Sequence, residues 1–291
     1  MIRIGPAGWN YKDWAGIVYP AVRPCGFSEP GYLANYFDTL EINTSFYGPP
    51  QPETARKWTQ AISHNPHFKF TAKLWRGFTH ERNAKFEDEK LFKAGMEPIA
   101  AAGRLDALLL QFPISFKNTP ENLAYLRALT ARFQEYALVI EIRHASWNQE
   151  QVIEVLSDLS IGLCNIDQPL LGRALKPSAH STSRVGYIRL HGRNYKSWFS
   201  ENSQAHERYD YLYSTEELEP WIDRIKTVST QTEDTYVVSN NHYLGKAAVN
   251  AIEIASIFRG EPVNAPSSLV QRYPELKEFV KASESPETLF G

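Results

Sequence analysis

The chain reads as a single-domain α/β protein built as a (β/α)8, or TIM, barrel, and three observations predict it. Short apolar, β-branched segments alternate with segments of helical periodicity about eight times along the sequence. The 291 residues are close to the ~250 that such a barrel typically needs. No Pro-, Gly- or Ser-rich linker and no internal repeat divides the chain. A doubly wound sheet is the competing topology, but it ordinarily carries G-x-G-x-x-G after its first strand, and Gly5-Pro6-Ala7-Gly8-Trp9 does not match.

In chain order the strand candidates are Ile2 to Ile4, Thr39 to Ile42, Phe68 to Ala72, Ala107 to Phe112, Ala137 to Ile142, Ile161 to Ile166, Val185 to Leu190 and Thr235 to Ser239. Between them, Gln51 to Ile62, Glu87 to Ala102, Thr119 to Phe133, Asn148 to Leu159, Thr215 to Val228 and Gly245 to Phe258 carry apolar residues at three- and four-residue spacing, which predicts amphipathic helices. Thr119 can cap its helix with Pro120 at the first position, and Ser214 with Glu217 has the spacing of a capping box. The first and sixth connections are the weakest. Ser28 to Phe37 has room only for a short helix, and Gln168 to Ser183 is rich enough in Pro, Gly and Ser to be mostly loop. Glu261 to Ser268 reads as a surface loop leading to a short C-terminal helical extension from residue 269 onward, near Pro274 to Lys281.

Composition narrows the function. Lys and Arg number 31 against 33 Asp and Glu, a net charge of −2, with 43% hydrophobic and 22% charged residues. That balance fits a compact globular chain and disfavours coating of nucleic acid or of an anionic membrane through the overall field. Any anion must be recognised locally. Cys25 and Cys164 are too few for a disulfide scaffold or a four-thiolate zinc site. No signal-peptide core and no run of ~20 apolar residues is present. The expectation is a cytoplasmic protein with no membrane partner.

Alternate residues of a strand face opposite sides, so polar residues at strand C-termini locate the rim of the barrel. Glu41 and Asn43 share a face, as do Thr71 and Lys73, Glu141 and Arg143, Asn165 and Asp167, and Arg189 and His191, each set between apolar neighbours. Any one pair could be structural. Five such pairs at one end predict a pocket, because each buried charge costs several kcal/mol to desolvate. Glu41, Glu141 and Asp167 would balance Lys73, Arg143 and Arg189. Lys69 breaks the scheme and is either outside its strand or snorkelling to the opposite end.

The loops after the strands add Trp9, Trp14, Trp75, Trp147 and Trp198, with Phe46, Tyr47, Tyr195 and Phe199. These either stack on a flat or cyclic ligand or plug the mouth. His80, His144 and His242 fall at or just after strand ends, and Arg193 with Asn240 and Asn241 completes a donor-rich rim suited to phosphate or carboxylate. No phosphate loop, nucleophile elbow or H-E-x-x-H helix appears. No cofactor is required by the sequence. A divalent metal held by Glu41, Glu141, Asp167 and His191 is conceivable, but the neighbouring arginines would neutralise those carboxylates first. Cys164, inside an apolar strand, reads as an inert buried thiol.

The blocks Ile4-Gly5-Pro6-Ala7-Gly8-Trp9-Asn10-Tyr11-Lys12-Asp13-Trp14, Glu41-Ile42-Asn43-Thr44-Ser45-Phe46-Tyr47, Phe68-Lys69-Phe70-Thr71-Ala72-Lys73, Thr79-His80, Leu108-Leu109-Leu110-Gln111-Phe112-Pro113, Glu141-Ile142-Arg143-His144-Ala145-Ser146-Trp147, Tyr187-Ile188-Arg189-Leu190-His191-Gly192-Arg193 and Asn240-Asn241-His242 stand in that order over nearly the whole chain. Taken together they resemble the domain of unknown function 72 family, also called YecE-like proteins. The resemblance implies a TIM barrel and adds Gln111 to the binding candidates; it supplies no activity. Kinship with endonuclease IV-like or sugar-isomerase-like barrels is a suggestion at the level of the fold alone. The chain departs from the family pattern at Pro6-Ala7, where Thr-Ser is usual, and at Ser239, where an aromatic is common.

The sequence therefore points to an enzyme of hydrolase or isomerase type acting on a small anionic, phosphorylated or sugar-like substrate. Glu41, Glu141, Asp167, His191 and Lys73 are the candidate catalytic residues, with Glu41 or Glu141 as base and His191 exchanging a proton near neutral pH. Lys73 could alternatively form a Schiff base if desolvated. The candidate binding residues are Trp9, Trp14, Asn43, Tyr47, His80, Gln111, Arg143, His144, Trp147, Arg189, Arg193, Trp198, Asn240 and Asn241. A nucleic-acid-binding protein or nuclease, with arginines on phosphates and aromatics on bases, is the alternative. A noncatalytic ligand-binding protein is the second.

Overall fold

A computed structural model describes residues 1–195 and 207–282. Eight strands, β1 (Ile2–Pro6), β2 (Thr39–Ile42), β3 (Lys69–Lys73), β4 (Leu105–Gln111), β5 (Leu138–Glu141), β6 (Gly162–Asp167), β7 (Val185–Leu190) and β8 (Asp234–Ser239), pair in parallel in the order β1-β8-β7-β6-β5-β4-β3-β2. The two ends of this sheet meet: Gly8 donates its backbone N–H to the Glu41 carbonyl at 2.9 Å, and Ala7 bridges to Glu41. The closure depends on a glycine. A Cβ built on Gly5 would lie 1.9 Å from the Thr39 carbonyl oxygen, so no other residue lets β1 come this close to β2. The predicted barrel is present, with all eight strands within a few residues of their expected bounds.

The helices follow their local chemistry. They are α1 (Glu29–Leu33), α2 (Pro52–Ala61), α3 (Arg76–Thr79), α4 (Phe86–Ala101), α5 (Pro120–Arg132), α6 (Glu150–Asp158), α7 (Thr215–Ser229), α8 (Lys246–Arg259) and α9 (Ser267–Arg272), followed by a 3-10 turn at Pro274–Glu278. Thr119 Oγ1 accepts from Asn122 N at 3.3 Å at the start of α5, and Ser214 and Glu217 form the reciprocal capping box of α7. The first connection holds a 3-10 turn at Lys12–Trp14 and the five-residue α1. The sixth holds no helix at all: residues 168–184 are irregular chain laid against β6. No described helix is long and apolar enough to cross a membrane.

Two apolar shells surround the strands. The outer one packs the helices on the outward strand residues, including Phe70, Leu110, Ile140, Leu163, Ile188 and Val237. The inner one fills the barrel axis with Ala107, Leu109, Val139, Cys164, Ile166, Tyr187, Tyr236 and Val238. In β6 it is therefore Cys164 and Ile166 that face inward, which corrects the expected parity: Asn165 and Asp167 face outward. Asn165 serves the helix-free connection, donating to His180 O at 2.9 Å and accepting from His180 N and Ser178 Oγ at 2.8 Å. Outward polar residues are needed here because an irregular segment, unlike a helix, leaves backbone groups unpaired. Lys69 does belong to β3, and its ammonium reaches Gly103 O at the opposite end of the barrel.

Candidate active site at the C-terminal mouth of the barrel

The C-terminal ends of the strands and the loops after them enclose a cavity of about 650 Å³, the usual place for a site in this fold. From the strand ends come Lys73 and Gln111, and from the residues just beyond them Arg143, Gln168 and Asn240. The loops add Trp9, Tyr11, Asn43, Phe46, Tyr47, Arg76, His80, Arg208, Tyr209 and His242. One wall is thus aromatic and the floor is amide and cationic. Tyr47 stands at the rim, 73% exposed, while Tyr11 stacks on His242 with ring centroids 4.1 Å apart.

The floor is tied to a charge network centred on the fully buried Glu41, Glu141 and Arg189. Arg189 donates from Nη2 to Glu41 Oε1 at 2.8 Å and from Nη1 to Glu141 Oε2 at 2.5 Å, joining β2 to β5 across the axis. Arg143 holds the other oxygen of Glu141 through Nε at 2.9 Å and Nη2 at 2.7 Å, and Gln111 Nε2 donates to it at 2.7 Å. The Tyr187 hydroxyl donates to Glu41 Oε2 at 2.9 Å and pairs with Thr71 Oγ1 at 2.7 Å. Lys73 Nζ stands 3.7 Å from Glu41 Oε1.

The protonation states follow from these contacts. Burial would raise the Glu141 carboxyl, but Arg189, His191 and Arg143 around it hold it well below the usual carboxylate range. Glu141 is an anchored anion, not a group that takes up a proton near pH 7. Burial, with Arg143 and Arg189 alongside, lowers His191 to about 3 against the pull of Glu141. His191 is therefore neutral, and its 3.2 Å contact with Glu141 is an ordinary hydrogen bond rather than an ion pair. Asn240 Nδ2 stands 3.0 Å from His191 Nδ1, while Nε2 meets Glu141 Oε1 at 3.2 Å and the guanidinium groups of Arg143 and Arg189 at 3.3 and 3.4 Å. A pKa this low also lies beneath the neutral range in which the sequence reading gives His191 a proton to exchange. His80 is lowered to about 4, by burial first and then by Arg143, Arg76 and Lys73. It stands on the cavity wall as a neutral imidazole, its Nδ1 paired with Thr79 Oγ1 at 2.9 Å. Burial and Arg189 bring Lys73 down to about 8 from the ordinary 10.5.

Of the expected residues, Trp9, Asn43, Tyr47, Lys73, His80, Gln111, Arg143 and Asn240 line the cavity, while Glu41, Glu141, Arg189 and His191 sit directly under it, wholly buried. Others are brought elsewhere. Asp167, on the outward face, is clamped by Arg193 Nε at 2.8 Å and Nη2 at 3.2 Å, and Arg193 also meets Glu217. Asn241 donates to Tyr211 O and Asn250 Oδ1, both at 2.8 Å. His144 Nδ1 accepts from Ser146 N at 3.0 Å and caps a 3-10 turn. Trp14 and Trp147 are buried, with their indole N–H groups on His242 O and Phe116 O; they pack the barrel rim instead of meeting a ligand. Trp198 and Phe199 lie outside the described residues. Among the described residues no group of three His, Cys, Asp or Glu could hold a metal ion: Glu41 and Glu141 have guanidinium partners, and Asp167 faces away.

Sequence reasoning missed Tyr11, Arg76, Gln168, Arg208 and Tyr209 as cavity residues. Gln168 had a readable signal, since it continues the inward series Cys164, Ile166 of β6. Arg208 and Tyr209 had none, lying in a long connection with no strand parity to place them.

The profile of the family described as "Protein of unknown function DUF72" matches residues 3–273. The chain belongs to the DUF72 family. The UPF0759 protein YunF of Bacillus subtilis (strain 168) is 27% identical over 272 residues, covering 88% of this chain and 94% of YunF. The UPF0759 protein YecE of Escherichia coli (strain K12) is 26% identical over 161 residues, 53% of this chain and 54% of YecE. Among solved structures, a DUF72 family protein from Thermotoga maritima MSB8 superposes with a TM-score of 0.77 at 33% identity, covering 89% of this chain and 99% of that one. Another from Enterococcus faecalis V583 does so with a TM-score of 0.78 at 25% identity, covering 89% and 96%. The family resemblance read from the sequence and the barrel it implied are thus both shown. DUF72 membership brings no activity with it, so function rests on the site.

Proposed function

We propose that this DUF72 protein is an enzyme of hydrolase or isomerase type that draws a small anionic substrate, phosphorylated or sugar-like, into the mouth cavity and transforms it by acid/base chemistry. The observation that carries the reading is the charge of the floor. Among the described residues, the cations Lys73, Arg143 and Arg189 stand against the carboxylates Glu41 and Glu141, and His191 is neutral. An excess of positive charge in a poorly solvated cavity attracts an anion strongly. Arg143 and Lys73 hold the negative group. Glu41 and Glu141 orient the guanidinium groups, and His80, lowered to about 4, presents a neutral imidazole to the substrate from the wall. The aromatic side formed by Tyr11, Phe46 and Tyr47 takes the flatter, less polar part of the substrate.

Thermal unfolding with inorganic phosphate and with a panel of sugar phosphates tests the reading. Phosphate-bearing ligands raise the melting temperature of the wild type, and Arg143→Met loses that gain. Equal stabilisation of both proteins would remove the floor from substrate binding. Tyr47, standing exposed with Arg76 and Arg208 on the same mouth, favours a second reading in which a single-stranded nucleic acid stacks a base there. Salt-sensitive binding of an oligonucleotide at micromolar concentration supports that alternative, and no binding at low salt ends it.

A further inference from the structure

Lys73 differs from the other cations of the mouth. Arg143 and Arg189 are each hydrogen-bonded to a carboxylate. Among the described residues, the ammonium of Lys73 meets Glu41 only at 3.7 Å, beyond hydrogen-bonding distance, and the Phe46 ring at 5.6 Å. Its side chain is 10% exposed, and what is exposed opens on the cavity. The charged and titratable groups around it come from several parts of the barrel mouth: Glu41 from β2, Glu141 from the end of β5 and Arg143 just beyond it, Arg189 from β7, and His80 at the end of α3. Burial and the two arginines outweigh the two carboxylates, which is why the amine is lowered to about 8. Near neutral pH a usable fraction of it is the free base, the form that attacks an electrophile. A lysine whose task was only to hold charge would be better served by the close hydrogen bonds its neighbours have.

We propose that the substrate is a carbonyl compound, an aldehyde or ketone that also bears the anionic group, and that Lys73 Nζ condenses with its carbonyl carbon to a covalent imine. The inference rests on the anionic-substrate reading and adds the reacting group. The step balances without a co-reactant. One carbon–nitrogen double bond forms, the carbon–oxygen double bond breaks, and two of the three ammonium hydrogens leave with the oxygen as water. The third stays on the iminium. Its positive charge then stands where the ammonium stood, beside the Glu41 carboxylate that Arg189 and Tyr187 hold in place. The iminium withdraws electrons from the adjacent carbon, and His80 presents a neutral imidazole to the same cavity.

Reductive trapping tests this on the whole protein. Wild type is incubated with glycolaldehyde phosphate or with glycolaldehyde, reduced with borohydride, digested and mapped by mass spectrometry. The expected result is a single adduct on the Lys73 peptide, formed faster with the phosphorylated aldehyde, with a rate that climbs through about pH 8. Lys73→Arg and Lys73→Met abolish that adduct. Because the adduct is located in wild type, the result stands even if a variant folds poorly. Adducts scattered over surface lysines with Lys73 unmodified overturn the imine. Melting curves with inorganic phosphate, run on the same wild-type sample, separate the two readings. Stabilisation by phosphate with no Lys73 adduct leaves the anionic site standing and removes the carbonyl. Equal trapping of both aldehydes without stabilisation by phosphate removes the anionic site.

Discussion

Replacing Arg189 with Met tests the buried network most directly. The guanidinium donates to Glu141 at 2.5 Å and to Glu41 at 2.8 Å, and all three side chains are fully buried. Met keeps an apolar stem but ends short of the guanidinium, leaving two buried carboxylates without that partner. Removing one member of a buried pair costs about 3–5 kcal/mol, because the remaining charge is left uncompensated. Glu141 keeps Arg143, Gln111 and His191, so its share is the smaller. Among the described residues Glu41 keeps the Tyr187 hydroxyl and the more distant Lys73, so it carries more of the loss. The effect has a pH signature. A carboxyl held below its ordinary value of 4.5 contributes stability that is fully present above that value and fades as pH falls through the lower folded value. Arg189 is the strongest of the charges holding Glu141 down, so the variant lacks most of that contribution at neutral pH and lacks less of it in acid. Urea unfolding followed by tryptophan fluorescence should therefore show a deficit of about 3–5 kcal/mol near pH 7.5 that narrows near pH 4. A deficit below about 1 kcal/mol, the size of an exposed ion pair, or one equal at both pH values would refute the network as described.

Other perturbations have distinct signatures. Lys73→Met removes a buried amine that has no hydrogen bond among the described residues, so the melting temperature holds or rises while affinity for phosphate falls; a loss of more than about 2 kcal/mol would show the lysine to be structural. Arg143→Met lowers phosphate affinity by about tenfold, near 1.4 kcal/mol, by titration calorimetry; unchanged affinity would place the anion elsewhere. Asn165→Ala frees the irregular β6–β7 connection from its anchor, and limited proteolysis then cuts between residues 168 and 184 several times faster; an unchanged cleavage pattern contradicts the anchoring role. Gly5→Ala drives a Cβ into the Thr39 carbonyl, so the protein is recovered largely insoluble or with a melting temperature lowered by 10 °C or so; a near-native melt would mean that β1 and β2 can separate without cost.

The barrel was legible because strand and helix periodicities alternate cleanly and the caps at Thr119 and Ser214 stand where the helices begin. The floor was legible for the same reason: polar residues at strand ends such as Glu41, Lys73, Glu141, Arg143 and Arg189 contradict an otherwise apolar pattern. Strand β6 defeated the argument. Leu163, Cys164 and Ile166 are apolar on both faces, so parity had no reference, and a helix-free connection supplied an outward use for Asn165 and Asp167 that a regular barrel lacks. Roles were harder to read than positions. Glu141 and His191 were identified as inward residues, but only the spacing of Arg189, Arg143, Gln111 and Asn240 around them decides their protonation. The indoles of Trp14 and Trp147 could have faced either a ligand or the barrel wall, and backbone carbonyls at His242 and Phe116 settle that choice.

Below the charged layer the axis is filled by Tyr187, Tyr236, Leu109 and Val238, so whatever enters at the top must turn round and leave by the same doorway. Arrival and departure then share a single corridor under one electric field. On the proposed function, a product that keeps its negative charge is retained by the attraction that captured its precursor, and the expected result is a turnover that speeds up with added salt until capture itself becomes the slow event.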